Sequence, residues 1–218
     1  MKAVGILGSP RKDGNCSKML RACLEELSTA GFDSELFYLQ EKRIKYCLGC
    51  GTCLREEECH IKDDMVELRD QVKKADALIL ASPVYFLNVS AQIKCFIDRM
   101  VAFGHRPRLK GYGGAIVSYA GVGDPDLVAN YLNRILKTWG IWPVGYAVGF
   151  GVLPGEINTE DLEKARDLGR RVANAFKEGL KPEIKEEDLI LRNQLIKLIT
   201  NYKDFMKADY EFWRSRMR

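Results

Sequence analysis

Apolar residues along the chain fall into short continuous runs that alternate with stretches where they recur every three or four positions. Val4 to Leu7 is a continuous run closed by Gly8-Ser9-Pro10, and between Cys16 and Leu27 the residues Met19, Leu20, Cys23, Leu24 and Leu27 recur at helical spacing. The predicted order is strand, loop, helix. Ser34 to Leu39 alternates weakly as a second strand, Asp64 to Lys74 reads as a helix, and Ala77 to Ala81 has the unbroken apolar character of a strand covered on both faces. A loop from Ser82 to Ser90 leads to a helix face of Ile93, Phe96, Ile97 and Met100. Strand Gly114–Tyr119, helix Asp126–Thr138, strand Trp142–Phe150 and helix Thr159–Phe176 follow.

Strands that alternate with helices imply right-handed crossovers and a mostly parallel sheet with helices on both faces. Five such units in residues 1–181 suit an α/β, flavodoxin-like, doubly wound five-stranded sheet better than a six-stranded dinucleotide fold or an eight-stranded barrel. Ligands of such a sheet sit at the carboxyl ends of its strands. Past Lys181-Pro182 the pattern changes. Residues 182–218 form a charged, amphipathic helical tail carrying Leu189, Leu191, Leu195, Leu198, Ile199, Tyr202, Phe205, Met206, Tyr210 and Trp213. The tail either packs back on its own domain or acts as an oligomerisation arm that covers a neighbouring subunit.

Charge adds little to this picture. The 34 Lys and Arg residues against 30 Asp and Glu leave a net +4 spread along the chain, without the basic blocks that bind nucleic acid. Met1–Leu7 runs straight into Gly8-Ser9-Pro10-Arg11-Lys12 with no cleavage-site pattern, and no stretch reaches the roughly 18 apolar residues of a membrane span. A cytoplasmic protein without a membrane partner is expected. Cysteine changes more: four of the seven, Cys47, Cys50, Cys53 and Cys59, crowd into one segment, which in a reducing compartment indicates metal or redox chemistry before disulfides.

Gly8 to Ser17 follows a strand and opens a helix, a place where free backbone N–H groups and the positive helix end bind phosphate. The loop lacks the G-x-G-x-x-G dinucleotide spacing, and Gly14 is followed by Asn-Cys where a nucleotide P-loop has Lys-Ser/Thr. An ordinary polar loop with an Asn or Ser cap has the same composition. Gly8-Ser9-Pro10-Arg11 and Asn15-Cys16-Ser17, together with Ser82-Pro83-Val84-Tyr85-Phe86-Leu87-Asn88-Val89-Ser90, resemble the flavodoxin-like NAD(P)H-dependent FMN reductase family, through about Lys181. The resemblance implies FMN, its phosphate at Ser9, Arg11, Asn15, Cys16 and Ser17. It implies the ring and ribityl chain against Pro83, Val84, Tyr85, Phe86 and Asn88. A third loop, with Ser118, Tyr119, Ala120, Gly121, Val122 and Gly123, would reach the other edge of the ring. A phosphate at a helix end gains on the order of 0.3–2 kcal/mol from the dipole, whereas micromolar affinity requires about 8 kcal/mol. The flat apolar area of Tyr85 and Phe86 must then supply much of the difference. Asp98 and Arg99 on the following helix read as a structural ion pair or a solvated face.

The segment from Cys47 to Cys59 has the spacing C-x2-C-x2-C-x5-C. Short turns of this kind place sulfurs at successive corners of an iron–sulfur cubane, and Gly49, Gly51 and Thr52 let backbone N–H groups approach the sulfurs. Zinc usually takes two separated Cys/His pairs, with only His60 and His105 here to vary the ligands, and a metal-free loop remains open as a reading. With His60-Ile61-Lys62-Asp63-Asp64-Met65 after it, the motif resembles the iron-sulfur flavoproteins, a branch of the same family. That implies a [4Fe-4S] cluster on Cys47, Cys50, Cys53 and Cys59 within a loop spanning residues 40–63. The x5 interval and the missing proline depart from the bacterial ferredoxin pattern.

The expected activity is that of an electron-transfer oxidoreductase. A reduced ferredoxin-like carrier supplies single electrons to the cluster, FMN receives them, and a small oxidant accepts them, with no side chain acting as nucleophile or general acid. An NAD(P)H-dependent FMN or quinone reductase without a cluster, and a flavodoxin-type carrier with a cysteine switch, are the rivals. The cluster loop is expected to stand away from the strand-end crevice. The resemblance implies that it approaches a neighbouring subunit's flavin in a homodimer or homotetramer.

Overall fold

A computed structural model describes residues 1–180 and 183–216, so the expected boundary at Lys181-Pro182 lies outside the described residues. In chain order the elements are β1 (Lys2–Leu7), α1 (Asn15–Thr29), β2 (Asp33–Tyr38), α2 (Thr52–Arg55), α3 (Met65–Lys73), β3 (Ala77–Tyr85), β4 (Asn88–Val89) and α4 (Ala91–Arg99). They continue with α5 (Val101–His105), β5 (Tyr112–Tyr119), α6 (Pro125–Trp139), β6 (Trp142–Phe150), α7 (Thr159–Glu178), α8 (Glu186–Asn201) and α9 (Lys207–Arg214).

Five strands form a parallel sheet in the order β2-β1-β3-β5-β6, and the strand order reverses between β1 and β3. That is the switch point at which doubly wound sheets open a crevice. Both faces of the central strands are covered, which is why Ala77–Ala81 reads as an unbroken apolar run. Leu78 and Leu80 face one core with Leu68, Ile93, Phe96 and Leu132, whereas Ala77, Ile79 and Ala81 face the other with Met19, Leu20 and Leu168.

β3 does not stop at Ala81, where Ser82-Pro83 reads as a break. Pairing with β1 ends at Leu7↔Ala81, and Ser82 and Pro83 continue in register with β5 alone. Beyond that point one flank is open, so a proline removes no ladder bond there. The strand then turns back on itself: Val84↔Val89 and Tyr85↔Asn88 form a small antiparallel hairpin. Its two turn residues, Phe86 and Leu87, have φ of 45° and 67°, the backbone that a type I′ turn demands and that Asn-Gly usually supplies. Phe86 is 99% exposed, so no packing compensates the strain.

Among its described residues the tail holds two helices, α8 and α9. α9 lies against α2 of the cysteine segment within the same chain. There Leu54 packs on a third small core of Ile199, Met206, Phe212 and Trp213. On α8 the side chains of Leu189, Ile190, Leu191 and Leu198 remain exposed. No helix among the described residues is long and apolar enough to cross a membrane.

The strained tip yields a test of stability. A left-handed residue other than glycine costs about 1–2 kcal/mol, so Phe86→Asn with Leu87→Gly is expected to raise the thermal midpoint by a few degrees. A midpoint at or below that of the parent, read by circular dichroism, would contradict the strain assignment.

Candidate functional site

Four loops at the carboxyl ends of β1, β3, β5 and β6 close around one crevice. Its lining includes Ser9, Arg11, Asn15 and Cys16 from the first, Pro83, Val84 and Tyr85 from the second, Ser118, Tyr119 and Ala120 from the third, and Gly151 to Pro154 from the fourth. The enclosed part measures about 80 Å³, a few water volumes at roughly 30 Å³ each. That is room for a phosphate-sized group, and Tyr85, 42% exposed, stands at the lining's open side. A larger open groove of about 910 Å³ along β6 and α7 is lined by Asp161, Glu163, Lys164 and Arg170, whose charges pair with one another. It lies off the strand ends.

The first loop is shaped for an anion. Gly14 precedes α1 with no side chain capping the helix, so the first-turn N–H groups have no side-chain acceptor. Ser9 Oγ accepts from the Arg11 N–H at 3.1 Å within the loop, and the Arg11 side chain is exposed at the crevice lining. Gly8 is the point of closest approach: a Cβ there would lie 2.6 Å from Ile93 Cβ. Through this contact the loop is seated on α4, where the Ser90 hydroxyl both donates to the Gly8 carbonyl and accepts from the Ile93 N–H as the helix cap.

Asn15 and Ser17 have structural partners. The Asn15 amide donates to the carbonyls of Gly151 at 2.9 Å and Leu153 at 3.1 Å and accepts from the Ile157 N–H, so it ties the fourth loop over the first. Ser17 is buried and accepts from Arg21 at 3.0 Å. Burial pushes the Cys16 thiol up to about 12, against hydrogen bonding with Ser118 that pulls it down, and leaves the thiol protonated and unreactive where the first and third loops meet. Gly123 packs against Val84, whereas Gly121, Phe86 and Asn88 stand outside the enclosed part, the last two in the exposed hairpin. The fourth loop, Gly151-Val152-Leu153-Pro154, is absent from the sequence reading. The rule that ligands gather at strand ends pointed to it, since it directly follows β6.

The four clustered cysteines share one loop between β2 and α3. Cys47 and Cys50 are exposed, and Cys53 and Cys59 are half-buried. Burial, with the thiols of Cys59 and Cys47 nearby, raises Cys53 against the pull of Arg106. The Thr52 hydroxyl, 3.4 Å from Cys50 Sγ, lowers Cys50. Among the described residues no three His, Cys, Asp or Glu side chains gather at metal-ligand distance. The donor set nevertheless fits a thiolate-bound cluster. Its members are four soft thiols on a backbone turned by Gly49 and Gly51 at positive φ, with Arg99 close to Cys59 and Arg106 close to Cys53 to offset negative charge.

Arg99 does not pair with Asp98, which bonds Lys94 instead. Its buried guanidinium grips both oxygens of Asp63 at 2.7 and 3.1 Å and donates to the carbonyls of Lys45 and Ile61, closing the stem of the loop. Burial alone would raise the Asp63 carboxyl. The Arg99 bonds and the N–H groups of Lys45 and Met65 outweigh it and hold the carboxyl below its ordinary value. Arg99 closes the α4 helix that Ser90 opens, so the crevice and the cysteine loop are fastened to opposite ends of one helix. Nine residues at about 1.5 Å each make it roughly 13 Å long.

Known proteins similar to this chain share its family and its fold. Residues 1–152 match the family described as NADPH-dependent FMN reductase. An iron-sulfur flavoprotein of Archaeoglobus fulgidus is 61% identical over 99% of this chain and 99% of its own. Another, from Methanocaldococcus jannaschii, is 34% identical over 81% of this chain and 98% of its own. Among solved structures, an NAD(P)H:quinone oxidoreductase from Methanothermobacter marburgensis superposes with a TM-score of 0.61 at 20% identity, covering 78% of this chain and 98% of its own. It shares the fold. With most of its length matched to that family and to those relatives, the chain belongs to the iron-sulfur flavoprotein branch of the NADPH-dependent FMN reductases.

Proposed function

We propose that the protein carries single electrons from a reduced ferredoxin-like carrier through a [4Fe-4S] cluster on Cys47, Cys50, Cys53 and Cys59 to FMN, and on to a small oxidant. The supporting observation is α4: one helix fastens the flavin crevice at Ser90 and the cysteine loop at Arg99. When bound, the cluster supplies one-electron exchange and the flavin converts it to one- or two-electron chemistry. The side chains bind and orient. Arg11 and the α1 N-terminus hold the phosphate, Asn15 fixes the fourth loop over it, and Tyr85 offers a flat face at the mouth. Arg99 and Arg106 fix the loop backbone around the thiols.

The second reading is an NAD(P)H-dependent FMN or quinone reductase that works without a cluster, which the family match over residues 1–152 favours. Anaerobic stopped-flow separates the two. Reduced ferredoxin is expected to bleach the flavin of the iron-loaded protein faster than NADPH does. Rapid bleaching by NADPH in iron-free protein, with no response to ferredoxin, would establish the second reading.

The exposed apolar side chains of α8 supply a surface for a second copy, giving a homodimer or homotetramer. Leu191→Glu with Leu198→Glu should lower the particle mass on sizing while α9 stays in place. An unchanged mass would remove α8 from the interface.

The phosphate assignment predicts a selective loss. A charge-assisted bond contributes about 1.5–3 kcal/mol, so Arg11→Ala should weaken FMN binding to the apoprotein roughly ten- to a hundred-fold in a fluorescence titration. Riboflavin, which has no phosphate, should bind as before. Equal losses for both ligands would place Arg11 elsewhere.

A further inference from the structure

Asp209 sits on the short helix α9 in a region rich in exposed charge, yet it is fully withdrawn from solvent. Its Oδ1 accepts from the Arg106 guanidinium, and its Oδ2 accepts from His105 Nδ1 at 2.8 Å. The Trp213 indole N–H, from the same helix, donates to the His105 carbonyl at 2.9 Å. Arg106 is 2% exposed, and its second terminal nitrogen turns to the cysteine loop, donating to the carbonyls of Cys53 and Glu57 at 2.9 Å each.

Those two carbonyls bracket most of the five-residue interval between the third and fourth cysteines, the interval that departs from the ferredoxin pattern. Glu57 lies within it at φ 70°, a left-handed conformation uncommon for a non-glycine residue. Arg106 holds its carbonyl and Arg108 its carboxylate, the latter at 3.1 Å, and Asp209 holds Arg106 in place. A buried guanidinium deprived of its carboxylate would turn toward water and release both carbonyls. Apolar contacts run in parallel: Leu54, beside Cys53, packs on Met206, Phe212 and Trp213, and a Cβ on Gly51 would meet the Phe205 ring at 2.6 Å.

We propose that α9 is a clasp on the cysteine loop, and that Asp209 is a positioning residue acting through Arg106 on the backbone around Cys53, so that docking of the C-terminal helix governs how firmly the loop retains its cluster. Retention of a cluster rests on the function proposed above. The clasp on the loop does not.

The test uses the full chain as parent, Asp209→Asn, and the double variant Arg106→Met with Asp209→Leu, which removes the guanidinium without stranding a buried charge. In iron-free protein, iodoacetamide labelling is followed residue by residue by peptide mass spectrometry. Cys53 is expected to label at least ten-fold faster in both variants, while Cys16 and Cys23, buried in the sheet core, stay unlabelled and report an intact fold. Parent-like labelling of Cys53 in the double variant overturns the clasp. After anaerobic reconstitution, iron should pass to a chelator at least five-fold faster from the variants. Their cluster should show an altered electron paramagnetic resonance spectrum, with FMN affinity unchanged. Iron loss and spectrum equal to the parent overturn the positioning role. A parent that takes up no iron counts against the proposed function, and the labelling rates still decide the clasp.

Discussion

Between β2 and α3 the chain carries four thiols on a segment with one turn of helix and little apolar material to bury, and such a segment has no core of its own to fix it. The buried Arg99 guanidinium meets this constraint by joining Asp63 to the carbonyls of Lys45 and Ile61, which draws the two ends of the loop together on α4. Removing one partner of such a pair leaves an uncompensated buried charge, at about 3–5 kcal/mol. Loss of either partner is therefore expected to loosen the stem of the loop.

The helix that receives the stem also seats the strand-end crevice. Ser90 at its start binds the Gly8 carbonyl and caps the helix, and the absence of a side chain at Gly8 lets the first loop close on Ile93. Sequence, packing and function meet in α4. Its apolar face, Ile93, Phe96 and Ile97, locks it into the sheet's core, and its polar ends fasten the first loop and the cysteine loop.

The sheet was legible because its signal is local and repeated: β6 and the starts of β3 and α7 follow from apolar runs and spacing alone. The continuation of β3 through Pro83 was not, because it depends on β1 ending earlier than β5, a fact of register that no local pattern carries. The crevice was legible at Ser9, Arg11, Pro83, Val84, Tyr85 and Ser118, which lie on marked loops. Asn15 shows what such a reading leaves out: its place at a helix start suggests a phosphate ligand and it lines the crevice, and its side-chain amide is also bonded to Gly151, Leu153 and Ile157, far along the chain. The roles of Arg99, Arg106 and Asp209 were likewise hidden, since each depends on partners brought together only by the fold.

One chain is proposed to hold both a flavin in the strand-end crevice and an iron–sulfur cluster on the loop that Arg99 closes. Anaerobic purification with iron, sulfide and flavin quantified on a single sample tests it most directly. About four irons and four sulfides per flavin are expected, the content of one cubane. Flavin without iron, even after reconstitution, would contradict it.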